Sequence, residues 1–193
     1  FYSQVSVGTS SDSELTFNTS LLPTKSGTAF VSYSDRYYVG IPDLLNEKDY
    51  YTFSMHANNA DFWNRRAMHN NLGYQRFYSK VDYEIEKEDI IGLGLSDESF
   101  FKQSVEKIEK INEKHDKWYG LLIMLSNHTP FSEVDKYGEF DVDIKEGNTV
   151  YPYMEGTKLG NYFKSLHYAD GALGNFLAEL DEKGLLDNTV VVS

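Results

Sequence analysis

Three short apolar runs, at residues 5–7, 50–55 and 121–125, each end in a small polar cluster, and stretches of helical pattern separate them. Strand-length apolar runs that alternate with amphipathic helices predict an α/β fold, a mostly parallel sheet flanked by helices. In an open sheet of that kind, ligands bind outside the carboxyl ends of the strands. The clusters Gly8-Thr9-Ser10-Ser11-Asp12, His56-Ala57-Asn58-Asn59 and Ser126-Asn127-His128-Thr129 are therefore expected along one edge, as the place for a site.

The remaining pattern fills in the elements. Residues 11–22 read as a helix opened by Ser11-x-x-Glu14, the form of a capping box. Residues 29–33 read as a strand, 41–47 as a short helix, and 61–71 as a helix closed by Gly73. Phe100, Val105, Ile108 and Ile111 lay an apolar stripe on a helix from about 96 to 117, its Glu and Lys residues interleaved on the wet face. The unbroken run 121–125 suits a strand covered on both faces. Residues 132–157 are polar and aperiodic, a lid-like excursion. Tyr162, Phe163, Leu166, Ala169, Leu173, Phe176, Leu177 and Leu180 mark a second amphipathic helix, ended by Gly184 and followed by a β-branched strand at 189–192. A chain that stops in such a strand reads as a cut fragment.

Composition removes several function classes. Thirty acidic against 18 basic residues give a net charge of -12, the wrong sign for a nucleic-acid surface, which needs clustered Lys and Arg. Aromatic residues at 15% are too many for a disordered acidic chain. With no cysteine, disulfides, thiol nucleophiles and cysteine metal sites are excluded. Mean hydropathy is -0.50, and the broken apolar runs hold no stretch of about 20 residues fit for a membrane helix. The opening residues lack the basic and apolar regions of a signal peptide.

Standard catalytic motifs are absent, and Gly92-x-Gly94 lacks the third glycine of a phosphate-binding turn. The five histidines show no local metal-ligand spacing. Ser10 sits just before a predicted helix N-terminus, where free N–H groups and the helix dipole favour an anion. A hydroxyl there can attack or hold a phosphate or sulfate once a base or metal activates it. Simple capping by Thr9, Ser10 and Ser11 accounts for the same residues. Trp63 and Arg65, two apart, do not share a helix face, yet at a helix start they can line one pocket. Trp63 as a core residue is the alternative. His128 suits either a substrate oxygen or a satisfied strand end.

Four segments in order, Gly8-Thr9-Ser10-Ser11-Asp12-Ser13-Glu14, Phe62-Trp63-Asn64-Arg65, Ser126-Asn127-His128-Thr129-Pro130-Phe131 and Gly184-Leu185-Leu186-Asp187-Asn188-Thr189-Val190, carry a likeness. With Ala29-Phe30-Val31 and Gly92-Leu93-Gly94-Leu95, the chain resembles, nearly end to end, the extracellular domain of the lipoteichoic acid synthase family. That family lies in the sulfatase branch of the alkaline phosphatase superfamily. The resemblance implies a metal-dependent transferase, using manganese or magnesium, on the extracellular face of the cell membrane. It would move glycerol phosphate from phosphatidylglycerol onto a growing polymer through a covalent intermediate, anchored by a membrane segment not in this chain.

In that family the nucleophile is a threonine directly before Ser-Asp-x-Glu. Ser10 holds that position here and Thr9 lies one residue earlier, so both are candidates. Of the family's metal ligands only Ser10 falls within the chain; an acidic ligand would precede Phe1 and an Asp-His pair would follow Ser193, which would leave the 193 residues inactive alone. Trp63, Arg65, His56 and His128 match its substrate pocket, and Asn58 stands where an aspartate would contact glycerol. Formylglycine sulfatase chemistry needs Cys or Ser followed by x-Pro-x-Arg, and no such stretch occurs. Two other readings keep the site: a phosphodiesterase or phosphatase in which water resolves the intermediate, and a non-catalytic sensor of glycerol phosphate.

Overall fold

In the computed structural model, which describes residues 5–151 and 154–193, the elements follow as α1 (Ser10–Thr19), α2 (Ala29–Ser32), α3 (Ile41–Asn46), β1 (Tyr51–Met55), a 3-10 turn (Phe62–Asn64), α4 (Arg65–Asn71), β2 (Arg76–Tyr78), β3 (Ile90–Ile91), β4 (Gly94–Leu95), α5 (Asp97–Asn112), β5 (Trp118–Leu122), β6 (Ile144–Glu146), β7 (Thr149–Tyr151) and α6 (Lys158–Glu182). The chain forms two compact units, 1–82 with 111–123, and 83–110 with 124–193. No helix among the described residues is long and apolar enough to cross a membrane.

The first unit carries a three-stranded parallel sheet in the order β2-β1-β5. β1 is the central strand, and Thr52 to Met55 are buried whichever face they point to, as expected of a parallel strand covered on both sides. Its register places Phe53 opposite Gly120 of β5, and the Phe53 ring lies where a side chain at 120 would go, 2.5 Å from an ideal Cβ. Leu15 of α1, Ala29 and Phe30 of α2, Met68 of α4 and Leu72 and Tyr74 beyond it form the core, with Tyr38, Tyr119 and Leu121 packed against it. A side chain as large as Phe30, fully buried, contributes about 2–3 kcal/mol relative to exposure.

Several expectations change here. Residues 29–33 are not a strand. Val31 and Ser32 N–H both bond the Thr28 carbonyl, and the resulting turn of helix turns Ala29 and Phe30 inward while Val31 stays exposed. The apolar run at 5–7 is not a strand either. Strand β5 lies three residues earlier than expected and is half-buried along its length, not covered on both faces. β2 has no counterpart in the sequence reading; it is three residues long and half exposed, too short to show a period. Gly73 closes α4 as expected, at φ 91°.

α5 ends at Asn112, sooner than expected, and its stripe of Phe100, Val105 and Ile108 is buried. Asp97, at the start of α5, accepts from Leu125 N–H at 2.7 Å and from Ser126 N–H at 3.2 Å, while Asp97 N–H donates to Ser126 Oγ. This reciprocal clip fixes the segment after β5. Phe101 of α5 stacks on Phe176 of α6, ring centres 4.4 Å apart. The buried stripe of α6 is Ser165, Ala169, Ala172, Phe176 and Leu180, so the face is rotated from the expected one and Leu166 is exposed.

The expected excursion at 132–157 contains the antiparallel hairpin β6-β7 around Gly147 and Asn148; its residues 152 and 153 lie outside those described. Gly92-x-Gly94 makes the small hairpin β3-β4. Residues 189–192 pair with no strand among the described residues, and Val190 and Val192 are exposed; β-branched composition alone does not make a strand without a neighbour.

Two substitutions test this packing. Gly120→Ala forces a methyl group into the Phe53 ring and is expected to cost about 1–3 kcal/mol, read as a lower denaturant midpoint with unchanged slope. Asp97→Ala leaves the Leu125 and Ser126 N–H groups without their acceptor. It should lower stability by about 1–3 kcal/mol, and unchanged amide exchange at 125 and 126 would refute the clip.

Candidate functional site

α1 begins at Ser10, not Ser11, with Thr9 as the residue before it. Thr9 holds φ 45° and ψ -108°, and its side chain makes no cap. The expected capping box does not form. Ser11 Oγ donates back to the Gly8 carbonyl at 2.7 Å, and Asp12 Oδ2 accepts from Ser6 and Gly8 N–H, which folds the loop over the helix start. Ser10 and Thr9 remain exposed.

Glu14 turns away from the cap for a stronger partner. Ser10 and Glu14 lie one helical turn apart on α1, as Arg65 and His69 do on α4, so each pair shares a face. Arg65 is 1% exposed; its Nε lies 3.0 Å from both Glu14 oxygens and its Nη2 2.5 Å from Oε1. The same Nη2 donates to Ser10 Oγ at 3.3 Å, and Nη1 makes one long contact, 3.5 Å, to the Phe62 carbonyl. His69 Nε2 is 2.8 Å from Glu14 Oε2, and its Nδ1 is 2.7 Å from Ser54 Oγ on β1. Because a carboxylate only accepts, Nε2 carries the proton. Burial alone would raise the Glu14 carboxyl, but the hydrogen bonds and charges of His69 and Arg65 outweigh it and hold it below the ordinary glutamate range.

His56 follows β1 and is 2% exposed. Its Nδ1 donates to the Ile123 carbonyl at 3.0 Å, which leaves Nε2 as the acceptor of a neutral ring. Burial, and then the Arg65 charge, push this histidine down to about 4. The ends of β1 and β5 adjoin here, since Ile123 N–H also bonds the Met55 carbonyl. Asn58 uses its side-chain oxygen on the Asn59 N–H, 2.7 Å away. Trp63, in the left-handed region at φ 57°, is half-buried against Phe62 and so is not a core residue.

Two of the three polar clusters thus meet within the first unit: Ser10 with Arg65, and His56 in the field of the same guanidinium. His128 belongs to the second unit. It is exposed, its Nδ1 is 2.6 Å from the Thr129 carbonyl, and the preceding Asn127 accepts from Ser165 of α6 at 2.7 Å. The sequence reading missed Glu14, His69 and Ser54 as parts of the site. The signal was present in the two four-residue spacings, Ser10 to Glu14 and Arg65 to His69, but nothing local shows that the helices face each other.

Known proteins share this architecture. Lipoteichoic acid synthase 1 of Bacillus subtilis is 34% identical over all 193 residues, which span 28% of that protein. The crystal structure of the lipoteichoic acid synthase LtaP from Listeria monocytogenes matches 97% of the chain with a TM-score of 0.86 and 33% identity, the match taking 44% of that chain. A Vibrio parahaemolyticus protein of the alkaline phosphatase superfamily shares the fold, with a TM-score of 0.69, 21% identity and coverage of 94% of this chain and 40% of its own. The sequence profile of the sulfatase family matches residues 1–193 from end to end, and the chain belongs to that family.

Proposed function

We propose that this chain is the part of a lipoteichoic-acid-synthase-like enzyme that forms the covalent intermediate in glycerol-phosphate transfer. The observation that carries the reading is Ser10 Oγ, exposed at the N-terminus of α1 and 3.3 Å from the buried Arg65 guanidinium. A helix N-terminus and a guanidinium both stabilise negative charge on phosphoryl oxygens. Ser10 Oγ attacks the phosphorus of phosphatidylglycerol, a Ser–O–P bond forms, and the bond to the diacylglycerol oxygen breaks. Diacylglycerol leaves with a proton, and the Ser10 proton is released. A hydroxyl of the growing polymer then attacks the same phosphorus, the Ser–O–P bond breaks, and the proton lost by that hydroxyl is balanced by one regained on Ser10 Oγ.

The other groups position the headgroup in this reading. Trp63, half-buried two residues before Arg65 in the chain, offers an apolar wall, and neutral His56 offers an acceptor for a glycerol hydroxyl. Asn58 remains a proposed contact to the headgroup, and His128 a proposed substrate-binding residue. Location on the extracellular face of the membrane, through a segment outside this chain, belongs to the same proposal.

The fold family implies a divalent cation, manganese or magnesium in this reading. Among the described residues no three His, Asp or Glu side chains come together to hold one. Glu14 is engaged by Arg65 and His69, and Asp12 offers only Oδ1, buried without a partner. Ser10 and one carboxylate oxygen fall well short of the roughly six ligands such ions take. The residues present therefore do not make that site, and the steps above run through protein groups alone.

The full-length protein that contains this chain, incubated with phosphatidylglycerol and manganese and then quenched, should carry a glycerol-phosphate adduct on the peptide spanning Thr9 and Ser10. The adduct should map to Ser10, and Ser10→Ala should lower turnover by at least on the order of 10³-fold while Thr9→Ala keeps it. An adduct on Thr9 would move the nucleophile by one residue, and free glycerol phosphate released without acceptor would make the enzyme a hydrolase.

A second outcome concerns pH. The folded His56 titrates near 4, below the ordinary 6.5, so the unfolded chain takes up its proton first as the solution is acidified. Stability is then intact above about 6.5 and falls by ~3 kcal/mol between pH 6.5 and 4. Depressed Glu14 adds a further loss below its ordinary 4.5. In melts from pH 7.5 to 4, His56→Gln should flatten the upper part of this decline; an unchanged slope would show that His56 is not its source.

A further inference from the structure

Arg65 is the only cation that touches Ser10 among the described residues, yet most of its hydrogen-bonding fork points elsewhere. Nε and Nη2 both close on Glu14, so the carboxylate meets the guanidinium edge-on and sets its plane. Glu14 is itself held at its other oxygen by His69, which Ser54 ties to the central strand. All three side chains are buried: Glu14 is 7% exposed and His69 fully enclosed. A carboxylate engaged this completely has no lone pair directed at Ser10 or at solvent, so it is no base for the nucleophile.

We infer that Glu14 is a positioning residue: through Arg65 it fixes the one orientation in which a guanidinium N–H faces Ser10 Oγ, and His69 and Ser54 lock Glu14 in turn. This rests on the proposed role of Ser10 and deepens it. The arrangement has two consequences. The guanidinium reaches the reacting centre already oriented, and only its Nη1 side, with the long contact to Phe62, is left for a phosphoryl oxygen. A flexible arginine in water would have to be ordered at each turnover. One buried on a fixed carboxylate has been ordered by folding.

The test uses the full-length protein in three variants, Glu14→Gln, Glu14→Asp and, as a packing control on the same helix, Leu15→Ala. Each is measured for kcat and KM with phosphatidylglycerol, for melting temperature, and by crystallography. Glu14→Gln loses the charge and turns an amide donor toward the guanidinium; kcat should fall roughly 100-fold with KM changed less than about 3-fold. Glu14→Asp keeps the charge but falls short of the fork, and should lose about 10-fold. It carries the test if the glutamine variant does not fold. Leu15→Ala should lower the melting temperature and leave kcat per folded molecule unchanged.

In crystals of Glu14→Asp, Arg65 Nη2 should lie beyond hydrogen-bond distance of Ser10 Oγ. An Arg65 still at Ser10, or kcat losses that only track the melting temperature as in Leu15→Ala, overturns the inference. The crystallographic readout stands without turnover. If the wild-type protein forms no adduct, the transfer reading fails, while the position of Arg65 still decides whether Glu14 sets it.

Discussion

A guanidinium and a carboxylate almost wholly removed from water stay charged only when each finds the other in good geometry and its remaining groups are met as well. Arg65 and Glu14 satisfy that condition through two guanidinium nitrogens, with His69 on the carboxylate's second oxygen. Much else in the first unit follows from it. α1 must present Glu14 inward, so Ser10, one turn earlier, is carried to the start of the same face. α4 must present Arg65 and His69 together, and the chain reaches that geometry through two left-handed residues, Trp63 and Asn64, directly before it. Asn64 is held there by its bond to the Phe30 carbonyl.

The apolar core and the polar network serve different ends. Leu15, Phe30, Met68 and Leu72 bury the area that holds α1, α2 and α4 together. An ion pair in that setting adds little net stability, because desolvation offsets most of its attraction. Its contribution is to direction: it selects one rotation of α1 and one arginine orientation. The parallel sheet adds the other half of the candidate site, since β1 and β5 end side by side and His56 spans their ends through the Ile123 carbonyl. The neutral state of that histidine follows from the same enclosure and from the nearby guanidinium.

The second unit holds its loops by similar means with different groups. Asp97 gathers the backbone N–H groups of residues 125 and 126, and Ser165 holds Asn127, so the exposed His128 directly follows an anchored stretch. A buried carboxylate on backbone donors and a buried serine on an asparagine both limit the freedom of a loop whose tip remains in solvent. Loops of that kind commonly carry binding residues on a rigid frame.

The sequence by itself determined the α/β class with its parallel sheet flanked by helices, the stripe of Phe100, Val105 and Ile108, the end of α4 at Gly73, and the polar clusters that follow β1 and β5. Each is a local property: a period, a glycine that tolerates positive φ, or a polar run after an apolar one. It also carried the family resemblance, through short segments in a fixed order. Only tertiary structure decided the rest. Residues 29–33 read as a strand from their local pattern, and the structure instead buries Phe30 with Leu15 and Met68 on a turn of helix at Ala29–Ser32. The start of α1 has the letters of a capping box, yet Glu14 abandons the cap because a buried arginine binds it more strongly than a solvated backbone N–H does. The residues that orient Arg65 were invisible for the same reason: Ser10 and Arg65 are distant in the chain, and nothing in a local pattern reports which helix face a carboxylate will meet once the core has closed.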